Sequence, residues 1–92
     1  MQPLSGLNIL EFGNFIAAPF ATMLLADMGA SVIKIEPVGN GDMARATPPF
    51  VDGHSASFMA LNRNKRSITL DLKSESGRQA ALKLAQQADA VV

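Results

Sequence analysis

The chain has 92 residues, enough for a single domain built round one hydrophobic core. Eight Lys and Arg balance eight Asp and Glu, so the net charge is zero and no long-range field would gather DNA, RNA or an anionic membrane. At 48% hydrophobic and 17% charged residues, the composition is that of a packed globular chain rather than a disordered one. Cysteine is absent and His54 is the one histidine, which excludes a disulfide framework, a thiolate metal site and a Cys nucleophile. No metal is expected, and the cytoplasm is the expected compartment. The longest uncharged run, Phe12 to Ala26, is shorter than the roughly 20 residues that cross a bilayer, and it carries Gly13, Asn14 and Pro19. The first basic residue is Lys34, so no secretory leader is expected either.

In chain order, Leu7 to Phe12 is a short apolar run between Gly6 and Gly13 and reads as a strand buried on both faces. Ala17 to Met28 is rich in helix formers, has Pro19 in its first turn and stops at Gly29. Phe20, Leu24 and Met28 fall four apart and are expected to form the stripe that covers the sheet. Ser31 to Glu36 is β-branched and ends at Pro37, the pattern of a second strand. Residues 37–56 hold Gly39, Gly41, Pro48, Pro49 and Gly53 and show no periodicity, so an irregular loop is expected, of a length that compact domains keep for a function.

A short helical turn is expected over Ser57 to Asn62. Ser67 to Leu72 alternates with period two, setting Ile68, Leu70 and Leu72 on one side of a third strand. Ser76 and Gln79 form a capping-box pattern ahead of Ala81, Leu84, Ala85 and Ala88, a helical stripe. Ala90 to Val92 reads as the opening of a fourth strand. The order β-α-β-loop-β-α-β predicts an α/β fold with an open, mainly parallel sheet. A sheet that stops in mid-strand would leave an edge and apolar surface uncovered, so residues 1–92 are expected to be the N-terminal part of a larger domain.

Open α/β sheets bind ligands where a strand tip faces a helix N-terminus, which points to the turn from Gly13 to Pro19. Gly13 stands there without the further glycines of GxGxxG, so a dinucleotide pyrophosphate lacks its usual cradle and a plain tight connection fits equally well. Glu36 stands where dinucleotide enzymes hold a ribose hydroxyl, and is also an ordinary strand end. Asn62-Arg63-Asn64-Lys65-Arg66, with Lys73 beyond and Arg45 in the loop, suits phosphate oxygens; a solvated basic turn has the same composition. His54, among Gly53, Ser55 and Ser57, is expected to be exposed. None of the eight carboxylates is spaced as a nucleophile or acid with a partner, so no catalytic residue is identified.

The strings themselves carry more. PLSGLNILEFG, then IAAPFATMLLADMGASVIKIEPVGNGD followed by Arg45, then NRNKRSITLDLK and Gly77-Arg78, resemble the opening segment of the family III CoA-transferases, in order and over nearly the whole chain. That superfamily includes formyl-CoA and carnitine CoA-transferases, and α-methylacyl-CoA racemases share the segment. The resemblance implies a Rossmann-like domain of a much longer chain that forms an interlocked homodimer. It also implies acyl-CoA metabolism, with an acyl-CoA and a carboxylic acid as substrates and no nucleic acid or membrane partner. Coenzyme A would lie over the turn after the first strand and along the third, which assigns Ile16, Ala17, Leu70, Asp71, Leu72 and Lys73 to it; Arg45 and Arg66 are added on charge.

An aspartate nucleophile would carry an aspartyl-CoA intermediate, and no carboxylate here matches its motif, so it is expected beyond Val92 and residues 1–92 are expected to be inactive alone. Some members have Gln where Ile16 stands and Arg where Pro37 stands, which speaks against those members' CoA contacts and against formyl or oxalyl substrates. The length of the Phe58 to Lys65 stretch favours a transferase over a racemase. Outside the resemblance, a non-catalytic nucleotide-binding module remains the competing reading.

Overall fold

The computed structural model describes residues 2–92. Four parallel strands form its sheet: β1 (Asn8–Glu11), β2 (Ser31–Glu36), β5 (Arg66–Thr69) and β6 (Ala90–Val91), in the spatial order β5-β2-β1-β6. Helix α1 (Ala17–Asp27) joins β1 to β2, α2 (Ala56–Asn62) precedes β5, and α3 (Glu75–Gln87) joins β5 to β6. β1 and β2 run in register from Asn8↔Ser31 to Glu11↔Lys34, and β2 and β5 from Ile33↔Arg66 to Glu36↔Thr69. The alternation along a strand then divides the core. Ile9 and Val32 pack with Ala26 and Ala30 on the α1 side, while Leu10 and Ile35 pack with Ala81 of α3 on the other. The fold is the parallel α/β arrangement the sequence implies.

Four local expectations are corrected. Phe20, Leu24 and Met28 are 49%, 44% and 41% exposed; the face of α1 that meets the sheet is Pro19, Thr22, Met23 and Ala26. Part of the reason is the sheet beneath, which presents Glu11 and Lys34 at that level, where the Thr22 hydroxyl donates to Glu11. Residues 37–56 are ordered rather than irregular: a 3-10 turn spans Met43–Ala46, and β3 (Phe50–Val51) pairs with β4 (His54–Ser55) as a small hairpin.

The third strand ends at Thr69, not Leu72. Leu70 donates the last ladder bond to the Glu36 carbonyl, and Pro37 has no N–H with which to continue it. Of the three residues expected on one side, Leu70 joins the α3 cluster while Ile68 and Leu72 stay largely exposed. Finally, α3 is capped by Ser74, whose Oγ accepts from the Gly77 N–H at 3.0 Å, and Ser76 lies inside the first turn. The Asp71 carbonyl accepts from both the amide and the hydroxyl of Ser74, so the chain turns two residues earlier than the Ser76 pattern implies.

Gly77 is where α3 touches the strand-tip loop. A β-carbon there would overlap the backbone carbonyl of Asp71, so only glycine lets the helix sit this close. Gly77→Ala, despite its gain in helix propensity, is predicted to destabilise the full-length protein by about 1–3 kcal/mol, because the clash is with backbone that cannot rotate away. Urea unfolding of the two proteins measures it.

Candidate ligand site at the strand tips

The carboxyl ends of β1, β2 and β5 open into a cleft of about 340 Å³. Leu70, Asp71, Leu72 and Lys73 form one wall, Phe12 and Asn14 come from the tip of β1, and Pro37 and Val38 follow β2. All four residues assigned from the third strand are therefore brought together, in the loop that Gly77 seats rather than in the strand itself. Ile16 and Ala17 start α1 beside this cleft without lining it. Ile16, 56% exposed, instead lines a smaller apolar cavity of about 140 Å³ with Phe15, Ala44, Thr47 and Leu61. No side chain caps α1, so its first amides are left for water or an anion. Asn14, which joins the two places, was not singled out by the sequence reading.

Beneath the turn lies a layer of buried charge. Lys34, Glu11, Thr22 and Asp42 are among the largest fully buried side chains. Lys34 Nζ stands 3.3 Å from Glu11 Oε2 and 2.8 Å from Asp42 Oδ2, and donates to the Gly13 carbonyl at 3.0 Å. Asp42 Oδ2 has that ion pair and no further hydrogen bond. Glu11 Oε1 accepts from the Thr22 hydroxyl at 2.9 Å and from Lys65 Nζ at 2.9 Å; Lys65 also donates to the Pro19 carbonyl and to Asn62. Two acids and two bases thus neutralise one another where water is excluded, and each finds hydrogen bonds besides its counter-ion, without which burial of charge is prohibitive. The sequence holds a signal for this: charged residues inside apolar strands at positions 11 and 34. Their pairing needs the β1–β2 register, which no spacing in one chain reveals.

The basic stretch expected to suit phosphate is taken up internally. Lys65 belongs to the buried layer, Arg63 and Asn64 clasp Asp27, and Arg66 donates to Ser31 Oγ at 2.9 Å. Arg66 begins β5 at the amino-terminal end of the sheet, and the structure does not bring it to Leu70–Lys73. Arg45 forms two hydrogen bonds to Glu36, at 2.7 and 2.6 Å, and lies over the Phe58 ring at 4.0 Å. Two of its guanidinium nitrogens are thus engaged by a carboxylate, and Glu36 itself is 2% exposed. His54 is exposed. Among the described residues no group of three or more His, Asp or Glu could hold a metal, and no helix is long and apolar enough to cross a membrane.

The charges shift one another's protonation. Arg45's paired hydrogen bonds, with help from the Asp42 amide and the Ser67 hydroxyl, hold Glu36 down at about 2 against the opposing effect of burial. Burial pushes Asp42 up, but Lys34 and the amides of Ala44 and Phe15 outweigh it, and its net shift is downward. Burial draws Lys65 below the usual lysine range, with Glu11 opposing. A carboxyl held below its unfolded value of about 4.5 stabilises the fold fully above that pH and loses the contribution as pH falls toward 2, an effect of about 3 kcal/mol for Glu36. Arg45→Met is therefore predicted to destabilise the full-length protein strongly at pH 7 and much less near pH 3, read from denaturant unfolding at the two pH values. An equal loss at both would contradict it.

Comparison with known proteins bears on the family and the fold. The sequence profile described as CoA-transferase family III matches residues 4–92. The succinyl-CoA:mesaconate CoA-transferase of Haloarcula hispanica is 44% identical over 97 residues, and the mouse succinyl-CoA:glutarate CoA-transferase 45% over 93; both alignments take in 100% of this chain, with 24% and 21% of the relatives. A crystal structure of a CAIB/BAIF family protein from Brucella suis superposes with a TM-score of 0.91 at 41% identity, over 98% of this chain and 25% of that one. The chain therefore spans about a quarter of the length of the proteins it matches. With a matching profile over nearly all its residues and the same parallel fold, this chain belongs to the family III CoA-transferases.

Proposed function

We propose that the protein containing this chain moves coenzyme A from an acyl-CoA to a carboxylic acid, and that these residues form the surface on which coenzyme A lies. The observation that carries the reading is the strand-tip cleft, where Leu70 to Lys73 meet Asn14 beside the uncapped start of α1. Such a cleft offers backbone amides and one lysine ammonium to an anionic carrier and apolar walls to its heterocycle and pantetheine arm. Lys73, exposed on the cleft wall, attracts phosphate; Ile16 and Ala17 bring the helix amides toward the same ligand. Arg45 and Arg66 are left out of this proposed site, since neither lines the cleft and Arg66 stands at the start of β5.

The reaction proceeds by carboxylate covalent catalysis. An aspartate attacks the donor thioester carbonyl and releases CoA thiolate, leaving a mixed anhydride. The thiolate attacks the aspartyl carbonyl, which frees the donor acid and leaves CoA bound to the enzyme as a thioester. The acceptor carboxylate then attacks the aspartyl thioester and expels CoA thiolate, and the thiolate attacks the acceptor's carbonyl in the new anhydride, giving the product acyl-CoA and freeing the aspartate. In this reading no carboxylate of this chain is the nucleophile; Glu11, Glu36 and Asp42 are buried in ion pairs, which supports that for these three. The nucleophile is proposed to come from the remaining three quarters of the protein, working in the cytoplasm as an interlocked homodimer. Succinyl-CoA is the donor named for both relatives and is the first acyl-CoA to test.

Incubating the full-length protein with succinyl-CoA and a panel of carboxylic acids is expected to give new acyl-CoA with release of succinate. Epimerisation of a 2-methylacyl-CoA without an acceptor would instead assign it to racemase chemistry. Lys73→Glu is predicted to weaken CoA binding by about 1–3 kcal/mol through phosphate repulsion. Calorimetric titration with CoA checks it, and unchanged affinity would remove Lys73 from the site.

A further inference from the structure

We propose that Asp42 and Lys34 are positioning residues for coenzyme A, acting through the turn between β1 and α1. The proposal rests on the CoA reading given above. Lys34 Nζ donates to the Gly13 carbonyl at 3.0 Å, and Asp42 Oδ1 accepts the Phe15 N–H at 3.0 Å. These are the peptide groups on either side of Asn14, the residue of the turn that lines the cleft. One buried ion pair, from a different strand and a different loop, thereby grips both ends of the ligand-facing segment.

Phe15 shows why a grip is needed. Its φ is +73°, in the left-handed region that a β-carbon disfavours, and its side chain is 44% exposed, so burial of the ring does not hold it there. The hydrogen bond from its amide to Asp42 supplies that restraint. Asp42 in turn is fixed: its own amide donates to Glu36 Oε1 at 2.8 Å, and Oδ1 also accepts from Ala44 at 2.9 Å, capping the 3-10 turn. A capping residue alone needs neither 1% exposure nor a buried ammonium at 2.8 Å. Gly41 lets the loop double back this tightly: its φ is +72°, and a β-carbon would come within 2.7 Å of Glu36 Oε1. The Gly-Asp pair in the loop after β2 thus acts on the ligand at one remove, through the shape of a turn it does not belong to.

The test uses the full-length enzyme carrying Asp42→Ala, with Asp42→Asn as the milder variant should the first fail to fold. Expected are a rise of tenfold or more in the KM for acyl-CoA, an acceptor KM within twofold, and faster amide exchange over residues 13–16 without ligand. Adding Phe15→Gly to Asp42→Ala should recover at least part of the lost affinity, because glycine adopts the left-handed conformation without help. A lower melting temperature, with kcat falling in proportion to the folded fraction and an unchanged KM for acyl-CoA, would overturn the proposal and leave Asp42 a purely structural residue. Lys73→Glu, measured in parallel, separates the two levels. If it weakens CoA binding while Asp42 variants do not, only the positioning role fails; if neither variant does, the assignment of CoA to this cleft fails with it.

Discussion

The turn between β1 and α1, on one side of the strand-tip cleft, stands on the buried ion pairs of Lys34. An ammonium inside a sheet is tolerable only with carboxylates around it, and Glu11 and Asp42 close on it from β1 and from the loop after β2. The layer fixes more than charge balance. It pairs Glu11 with Lys34 in the register in which β1 and β2 run, and it is met from α1 by Thr22, on the face of Pro19, Met23 and Ala26 rather than that of Phe20, Leu24 and Met28. It also ties α2 to the sheet through Lys65. An apolar core of the same volume could be as stable, but it would not hold two loops and a helix in one relation.

The proposed function draws on where that layer sits. It lies just below the carboxyl ends of the strands, the level at which parallel sheets bind their ligands. The Gly13–Phe15 turn rests directly on it, and the 3-10 turn at Met43–Ala46 hangs from Asp42. On the far face, Gly77 brings α3 against Asp71 and so sets the height of the Leu70–Lys73 wall. The cleft is framed by polar anchoring on one side of the sheet and by close backbone packing on the other, which is how a rigid binding surface arises from loops.

The alternation of strands and helices was legible in the sequence because hydrophobic period and glycine punctuation are local. The presence of a cleft at the strand tips was legible for the same reason. The remaining features depend on non-local contacts. The stripe of α1 follows from what the sheet presents beneath it, and the true end of β5 from Pro37 on the neighbouring strand. The loop at 37–56 looked irregular because its order depends on Asp42 reaching Lys34, eight positions back and one layer down. The basic stretch at 62–66 resembled a phosphate site by composition, and only the fold reveals that Asp27, Ser31 and Glu11 had already claimed those cations. The family resemblance pointed to Leu70–Lys73, where charge alone pointed to Arg45 and Arg66.

The central claim, that coenzyme A is held at these strand tips, is tested most directly by hydrogen–deuterium exchange on the full-length protein with and without CoA. Protection on ligand addition should appear in residues 12–17 and 70–73 together and be absent from 62–66. Protection confined to other parts of the protein, with both tip segments unchanged at saturating CoA, would contradict it.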